Sequence, residues 1–412
     1  MIIEFSISNF GSIKEKQTLS FEATNDDTLS EYYIVEPIPG LKLLKLAMIY
    51  GANASGKTTV LQALECLKVL TINPTIDNSQ KLSFNPFLLD EDFKTKPSVI
   101  DLAFVKEGKK YVYHVEFTEN CILNESLDFF PKGREANFYK RKTDVKNQTV
   151  SVEYGSLVKI SAKNRFIIEA NTLWNNTVLG TLSKSNIDFP EMKIVHDWFR
   201  VTLMSLIYPV TRLTKWADSK IHSEPNSKEE VTNLLSIADV HIDKISVIEG
   251  LIEQNNKKRI DIKMLFQHSA IDVNGNTVKV DFEINQESSG TIRYYGLAAV
   301  LAEVIEKNKI FMIDEFETSL HPDLAKNFIL RFLTKSENSQ LLITTHNVSF
   351  MGNKDIIRRD TNWFTQKNKD GSTELYSAAD FDSSVLRKES SLLNVYETGK
   401  LGGKPNLGSI FS

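Results

Sequence analysis

Apolar and polar residues alternate near the start of the chain, a pattern typical of half-buried β-strands. In residues 2–10 the alternation runs through Ile3, Phe5 and Ile7, and a second alternating run covers residues 17–23. Three further β-prone runs, separated by short turn-like segments, are 98–104, 110–117 and 122–129. These runs predict an antiparallel β-layer before the first helix and a β-meander after it.

Longer apolar runs predict buried strands and helices elsewhere in the chain. Residues 43–50 are apolar and stop abruptly at Gly51, and residues 59–70 place apolar side chains at helical spacing. Residues 71–96 lack periodicity and are predicted to form a loop, whereas the composition from about 164 to 240 is helical. Candidate helices are 192–206, 229–238 and 292–305, and strand-like runs return at 244–249, 258–266 and 277–284.

The composition is that of an ordinary soluble protein. The chain has 412 residues, a formal net charge of −4 and 25% charged residues, so no strongly basic nucleic-acid-binding tail is indicated. An acid, Glu4, stands where a secretory signal needs basic residues, and the apolar windows are too short to span a membrane. We therefore expect a cytoplasmic protein without a membrane partner, in which Cys66 and Cys121 are reduced core residues.

A cluster of basic residues follows the meander, at Lys132, Arg134, Lys140, Arg141 and Lys142. We interpret it as the solvated edge of a strand, with a nucleic-acid-binding patch as the alternative. Nucleic acid is therefore a possible partner that the sequence neither requires nor excludes.

Residues 51–58, GANASGKT, fit the phosphate-loop pattern G-x-x-x-x-G-K-[ST] without a mismatch. A strand before this phosphate loop and a helix after it are the context in which such loops bind a nucleoside triphosphate. The glycines let the backbone curl its N–H groups around the β-phosphate, and the helix start adds partial positive charge. Nucleotide-binding residues are predicted at Gly51, Asn53, Ala54, Ser55, Gly56, Lys57, Thr58 and Thr59.

Four of the predicted polar positions have defined chemical roles. Lys57 is expected to reach the β- and γ-phosphates of ATP, and the Thr58 hydroxyl to complete the shell of a Mg²⁺ ion. An apolar run from residue 309 ends in Asp314 and Glu315, which places both carboxylates at the carboxyl end of a buried parallel strand. Asp314 is predicted to hold Mg²⁺, directly or through water, and Glu315 to accept a proton from the attacking water.

Two further features suggest that more than one subunit builds the site. The next buried-strand pattern ends at His346, which is predicted to sense or hold the γ-phosphate during catalysis. A polar turn at 286–291, QESSGT, directly precedes an apolar helix and makes a second anion site. One nucleotide cannot easily face both helix starts within one subunit. We therefore predict a homodimer or higher homo-oligomer in which this turn caps the partner's ATP.

The motifs GANASGKT, ESSGT, FMIDE, ETSLHP and TTH together resemble those of the ATP-binding-cassette (ABC) and SMC type of ATPase head. More narrowly, the chain resembles the AAA-family ATPases of bacterial phage-defence loci, the AbiL/RloA-like group, with OLD-family and Septu-type ATPases as relatives. The opening MIIEFSISNFGSI and the closing YETGKLGGKPNL share this resemblance. It implies an α/β, ABC/SMC-like P-loop ATPase head with a mixed N-terminal β-layer, a parallel core sheet flanked by helices, and a helical insertion.

The resemblance also implies domain limits and residue roles. The expected parts are an N-terminal half of the head at 1–160, a helical insertion lobe at 161–243, and a C-terminal half of the head at 244–412. Ser288, Ser289 and Gly290 occupy the family's signature turn, residues 317–321 its dimer-contacting loop, and His346 its switch histidine. Asn9, Phe10 and Ser12 match a turn near the nucleotide base, so Asn9 and Phe10 are expected to contact the nucleotide. Which signature serine contacts phosphate is left open.

Three classes of function remain. The favoured class is a defence ATPase whose nucleotide-driven dimer controls a separately encoded effector, such as a nuclease, a Toprim-like protein or a toxin. The alternative is a DNA-repair or SMC-like ATPase acting on nucleic acid, but the helical segment is short and broken by proline where a long coiled coil would need heptads. A transporter subunit is disfavoured because Glu287, with no leucine, precedes the signature serines. No acidic metal cluster follows His346, so no nuclease domain is expected within the chain.

Overall fold

A computed structural model describes residues 1–238, 242–254, 257–382, 384–386 and 391–404. The chain forms two compact units. The first consists of Met1–Ile207, Lys309–Glu315 and Asn338–Ser412, and the second of Tyr208–Asn308 and Phe316–Glu337. The predicted insertion, 161–243, is thus divided between the two units. Residues 239–241 of that insertion and 405–407 of the closing motif lie outside the described residues.

The elements occur as runs of strands and runs of helices, as the hydrophobic pattern predicts. In chain order, the strands of the described residues are β1 (Ile2–Ser8), β2 (Gln17–Ser20), β3 (Ile34–Ile38), β4 (Leu41–Leu44), β5 (Leu46–Gly51), β6 (Ser98–Lys106), β7 (Lys109–Phe117), β8 (Ile122–Phe129), β9 (Ala136–Asp144), β10 (Thr149–Tyr154), β11 (Ile242–Gln254), β12 (Lys257–Ile271), β13 (Thr277–Glu283), β14 (Ile310–Ile313), β15 (Gln340–Thr344), β16 (Asn362–Lys367) and β17 (Thr373–Ser377). The α-helices are α1 (Ser30–Tyr33), α2 (Lys57–Ile72), α3 (Ala162–Asn171), α4 (Val178–Leu182), α5 (Pro190–Asp197), α6 (Thr214–Ser223), α7 (Pro225–Ile237), α8 (Ser289–Glu306), α9 (Pro322–Lys335) and α10 (Leu392–Glu397).

The core sheet of the first unit positions the phosphate loop. Its strand order in the described residues is β14-β15-β5-β16-β17, parallel except for the last strand. Every residue of β5, β14 and β15 is buried, as expected for parallel strands covered on both faces. The phosphate loop therefore leaves the sheet from its central strand, and the α/β fold class predicted from the sequence is confirmed.

One predicted helix ends earlier than expected. The helix predicted at 192–206 is helical only to Thr202, in α5 and a following π-helical turn. Beyond it the chain is extended: Met204 donates to the Ile310 carbonyl at 2.8 Å, and Ile207 to the Met312 carbonyl at 2.9 Å. These bonds satisfy the open edge of β14, and this long-range pairing outweighs the local helical pattern.

The N-terminal β-layer is an antiparallel sheet with the order β10-β9-β8-β7-β6-β1-β2 in the part of the chain described here. The predicted meander is present as β6, β7 and β8, and the predicted loop at 71–96 contains no strand beyond the end of α2. Gln340 of β15 joins this layer to the core sheet. Its side-chain amide accepts from the Ile2 N–H at 2.5 Å and donates to the Ile2 carbonyl at 2.9 Å.

The second unit contains α6 to α9 and a separate antiparallel sheet. Strands β11, β12 and β13 pair in that order, and a hairpin turn at Asn274 and Gly275 joins β12 to β13. The Gly275 N–H closes this turn by donating to the Asp272 carbonyl at 3.0 Å. Helix α8 is the apolar helix that follows the signature turn, and most of its residues are buried.

Within the described residues, no helix has both the length and the apolar character needed to cross a membrane. Cys66 and Cys121 are buried free thiols. Burial raises the pKa of Cys66 to about 12, because the thiolate would lose its hydration, so this thiol is poorly reactive at neutral pH.

Arg141 is not part of a solvated strand edge, contrary to the interpretation of the basic cluster. Its side chain and that of Glu125 are fully buried in the N-terminal sheet, 4.0 Å apart between Nε and Oε2. Glu125 also accepts from the hydroxyls of Tyr113 and Tyr139 and from the Val178 N–H at 2.6–2.9 Å. Burial raises the pKa of Glu125, and the nearby guanidinium opposes that shift. This network fixes the sheet to the start of α4.

Replacing Arg141 by leucine is expected to destabilise the fold strongly. The change leaves the Glu125 carboxylate buried without its countercharge, and losing one partner of a buried pair costs about 3–5 kcal/mol. Urea unfolding followed by circular dichroism measures the loss. Lys142→Leu, an exposed position on the same strand, is the matched control and should change the stability by about 0.5 kcal/mol or less. Equal effects of the two substitutions would contradict the assignment.

Candidate nucleotide-binding site

The phosphate loop connects β5 to α2 and needs glycine at both ends. A Cβ on Gly51 would lie 2.4 Å from the Thr365 Oγ1 atom, and one on Gly56 would lie 2.3 Å from the Thr373 Oγ1 atom. Gly56 also has φ +108°, a backbone conformation that L side chains rarely adopt. The loop can therefore sit directly on β16 and β17 of the core sheet.

A chain of hydroxyl groups supports the underside of the loop. Ser55 Oγ lies 2.6 Å from Thr365 Oγ1, and the Thr373 hydroxyl donates to the Ser55 carbonyl at 2.8 Å. Thr373 Oγ1 in turn lies 2.7 Å from Ser12 Oγ. Thr365 and Thr373 could not be predicted from the sequence, because a threonine within a strand is ordinary and gives no local signal of a role.

Lys57 points back into the loop. Its ammonium is nearly buried, with the residue 6% exposed, and it donates to the carbonyls of Gly51 at 3.0 Å and Ala52 at 3.1 Å. Helix α2 begins at Lys57, so the first N–H groups of the helix have no partner within it. The loop thus presents a cation and the N–H groups of a helix start in one place, which suits a phosphate group.

The two acids lie beside the start of α2. The Thr58 hydroxyl contacts both carboxylate oxygens of Asp314, at 3.0 and 3.1 Å. Thr344, at the end of β15, donates from its hydroxyl to Asp314 at 2.7 Å and accepts from the Glu315 N–H at 2.8 Å. Thr344 therefore ties the two acids together, a role that the sequence analysis did not assign to it.

Glu315 has an unusual backbone for a residue with a side chain. Its φ is +44°, in the left-handed region, which costs of order 1 kcal/mol for a non-glycine residue. Such strain often marks positions where the direction of a side chain matters. The Thr344 bond to its N–H holds this backbone in place.

His346 is exposed and follows β15 by two residues. It lines an open cleft of about 750 Å³ together with Ala52 and Asn53 of the phosphate loop. The structure thus places His346 in the same cleft as two residues of the phosphate loop.

Asn9 and Phe10 are buried, at 1% and 4% exposure. The Asn9 amide accepts from the Phe87 N–H at 2.9 Å and donates to the carbonyls of Phe93 and Lys96 at 2.9 and 2.7 Å. These bonds brace the loop after α2, so Asn9 acts in the structure as a support for that loop. Direct contact of Asn9 and Phe10 with a nucleotide base stays a prediction that these contacts do not favour.

The side chains of Thr59 and Ser12 contact each other, and neither residue lines the cleft of about 750 Å³. Their hydroxyl oxygens are 3.2 Å apart, which joins the start of α2 to the first turn of the chain. Thr59 therefore contributes to the phosphate loop's support through its side chain.

The signature turn belongs to the second unit and starts α8. The Ser288 hydroxyl caps the helix by accepting from the Thr291 N–H at 3.0 Å. Ser289 is the first residue of the helix, and both serines are exposed. Glu287, just before the turn, lies 2.7 Å from Nε2 of His268 on β12. A Cβ on Gly290 would lie 3.1 Å from the Ser319 carbonyl, so the dimer-contacting loop predicted at 317–321 is adjacent to the turn.

Solved structures of SMC heads are similar in fold to this chain. The SMC head domain from Thermotoga maritima aligns with a TM-score of 0.41 at 13% identity, covering 91% of this chain and 98% of that one. An SMC head bound to the C-winged helix domain of ScpA aligns with a TM-score of 0.48 at 12% identity, covering 91% of this chain and 97% of that one. A third similar structure is the SMC head domain with an extended coiled coil, bound to the C-terminal domain of ScpA derived from Pyrococcus furiosus. It aligns with a TM-score of 0.43 at 12% identity, covering 91% of this chain and 96% of that one.

No curated protein matches the sequence. One family model matches residues 46–153 and 205–352, which together make up more than half of the chain. The match includes the phosphate loop, both acids, the signature turn and His346. The chain therefore belongs to the family described as "AAA domain, putative AbiEii toxin, Type IV TA system".

Proposed function

We propose that the protein hydrolyses ATP to ADP and phosphate and that nucleotide binding drives a head-to-tail association of two subunits. The observation that carries the proposal is the contact of the Thr58 hydroxyl with the Asp314 carboxylate at 3.0 Å. These residues are far apart in sequence, yet they meet next to the phosphate loop and next to Glu315. This is the arrangement that phosphoryl transfer from a nucleoside triphosphate requires.

The phosphate loop would bind the triphosphate through its backbone N–H groups and the Lys57 ammonium. Lys57 now donates to two carbonyls of its own loop. An ammonium has three N–H donors, so it can turn from these carbonyls to the β- and γ-phosphates when a nucleotide enters. The Thr58 and Asp314 oxygens form an all-oxygen pair of the kind that Mg²⁺ prefers, and these two residues would hold the ion. A bound Mg²⁺ would neutralise charge on the phosphate oxygens.

Glu315 is proposed as the base that accepts a proton from the attacking water. Its backbone is fixed through the Thr344 hydroxyl, which also donates to Asp314. Because one hydroxyl holds both residues, the base and the residue proposed to hold the metal keep a constant separation. His346, on the cleft beside Asn53, is proposed to contact the γ-phosphate.

The signature turn is proposed to cap the ATP of a second subunit. Ser288 and Ser289 are both exposed at the helix start, but Ser288 already uses its hydroxyl as the cap of α8. Ser289 is therefore the serine we assign to the partner's γ-phosphate, together with the N–H groups of the first turn. The adjoining loop at 317–321 would contact the partner.

We further propose that the ATP-driven dimer controls a separately encoded effector in bacterial anti-phage defence, as in the AbiL/RloA-like group that the chain resembles. The resemblance extends from the opening strand to the closing glycine-rich motif. The family description, which names a putative toxin and a toxin–antitoxin system, supports the same class of role.

Replacing Glu315 by glutamine should separate binding from turnover. Glutamine keeps the shape of the side chain but cannot take the proton, so hydrolysis should fall by about 10²- to 10⁴-fold while ATP affinity stays near that of the wild type. Phosphate release and equilibrium binding measure the two effects. Lys57→Ala is the comparison, since it should lose binding and turnover together. Wild-type turnover in Glu315→Gln would move the base elsewhere.

Replacing Ser289 by arginine should block ATP-dependent association. The larger side chain would collide at a close interface, while the phosphate loop of the same subunit would keep its ATP affinity. Sedimentation with and without ATP measures the association. Ser156→Arg, at an exposed serine of the first unit, adds the same group away from the turn and should associate normally.

Mixing Ser289→Arg with Lys57→Ala tests whether the site is shared. One site of the mixed dimer then carries both defects, and the other has an intact loop and an intact turn. Partial ATPase activity should return on mixing. A wild-type subunit that hydrolyses ATP at a rate independent of protein concentration, without an ATP-dependent change in mass, would contradict the shared site.

The defence role predicts protection that depends on the phosphate loop. Bacteria that express the chain with its neighbouring genes should support fewer phage plaques than bacteria in which the chain carries Lys57→Ala. Plating efficiency on matched strains measures the difference. Equal plating of a broad phage panel on both strains would remove the defence proposal and leave the ATPase proposal untouched.

A further inference from the structure

The last described part of the chain, residues 396–404, lies beside the phosphate loop, and we name it the C-terminal segment. It is packed firmly onto the core sheet. Tyr396 stacks on Phe364 of β16 with ring centroids 5.7 Å apart and planes 17° apart. The Tyr376 hydroxyl of β17 donates to the Leu401 carbonyl at 2.7 Å. The segment is therefore a fixed wall of the first unit.

The same strand carries this wall and supports the phosphate loop. Gln366 of β16 accepts from the Gly403 N–H at 3.2 Å, and a Cβ on Gly402 would lie 2.2 Å from its Oε1 atom. The preceding residue, Thr365, contacts Ser55 of the phosphate loop at 2.6 Å. The two elements are thus held by neighbouring residues of one strand, which fixes their separation.

Two clefts open between the C-terminal segment and the phosphate loop. The cleft of about 750 Å³ is lined by Asn53 and His346. The second, of about 670 Å³, is lined by Asn53, Ser55 and Thr365. Lys404 lines both clefts, and so does Asn53 of the phosphate loop, so the Lys404 side chain stands where the two clefts meet.

The Lys404 ammonium is held at this position without losing its capacity to bind. It donates to the Glu397 carbonyl at 2.6 Å, and the residue is exposed. An ammonium has three N–H donors, so this bond leaves capacity for an anion in the cleft. The tether also reduces the conformational freedom that a free lysine would lose on binding.

We propose that Lys404 is a further cation of the nucleotide site and contacts the phosphates of ATP from the C-terminal segment. The inference rests on the proposed ATP binding and adds a residue to it. A triphosphate carries more negative charge than Lys57 and one divalent ion neutralise, and the walls already contain Glu397. The positive charge of Lys404 offsets both the remaining charge of the triphosphate and the charge of Glu397. Because it shares a cleft with His346, it is placed on the γ-phosphate side.

The test compares equilibrium binding of fluorescent ATP and ADP analogues to wild type, Lys404→Ala and Lys404→Glu. Loss of one charge-assisted hydrogen bond in a solvent-open site should weaken ATP binding about 5- to 20-fold in Lys404→Ala. Lys404→Glu should weaken it further, and ADP should be affected less than ATP in both. Lys400→Glu is the matched control, since this exposed lysine of the same segment lines neither cleft.

The outcomes separate this inference from the proposed function. If wild type and Lys400→Glu bind ATP, Lys57→Ala does not, and Lys404→Glu binds as wild type does, the assignment of Lys404 is wrong and the ATPase proposal stands. If Lys404→Glu and Lys400→Glu weaken binding equally, the effect is general electrostatics and the assignment is also wrong. If wild type binds no ATP, both proposals fail. Unchanged thermal unfolding of the variants without nucleotide shows that the fold is intact.

Discussion

The buried carboxylate of Asp314 is the constraint on which the site depends. This residue is 5% exposed, and a buried carboxylate is tolerated only when hydrogen-bond donors or cations satisfy it. The donors come from two distant parts of the sequence, Thr58 at the start of α2 and Thr344 at the end of β15. The backbone of Asp314 is held separately, because its N–H donates to the Ile207 carbonyl at 2.8 Å. Three segments of the chain must therefore come together before this carboxylate is satisfied.

The proposed chemistry is divided between the two units in an orderly way. The phosphate loop, both acids and His346 belong to the first unit, and the signature turn and the loop at 317–321 belong to the second. The chain passes from one unit to the other between Glu315 and Phe316. The proposed base is thus the last residue of its unit before the segment that we expect to contact a partner. Glu315 is connected to that segment through Phe316 alone.

Sequence alone could predict the parts of the site that are contiguous. The phosphate loop and the pair of acids are short motifs whose chemistry requires neighbouring residues, so a few letters are enough to find them. Thr344, Thr365 and Thr373 were missed because their roles depend on which strands are neighbours in the sheet. The serine that caps α8 could be separated from its neighbour only by the hydrogen bond that Ser288 accepts.

The fold shows the same division between local and distant information. The meander was predicted because its strands follow one another in sequence. Arg141 was interpreted as exposed because the burial of its partner, Glu125, is not visible in a run of basic residues. Residues beyond Thr202 look helical by themselves and become extended because β14, about a hundred residues later, offers an open edge.

The strand order of the core sheet also limits when this sheet can assemble during synthesis. The neighbours of the central strand β5 are β15 and β16, which begin at Gln340 and Asn362. On the ribosome, β6 to β10 can pair as consecutive hairpins as soon as they are synthesised. Both edges of β5 stay unpaired until the distant β15 and β16 have been synthesised. An unpaired apolar strand is a template for wrong pairing. The strand that carries the nucleotide loop is therefore open to wrong pairing until β15 and β16 have been synthesised.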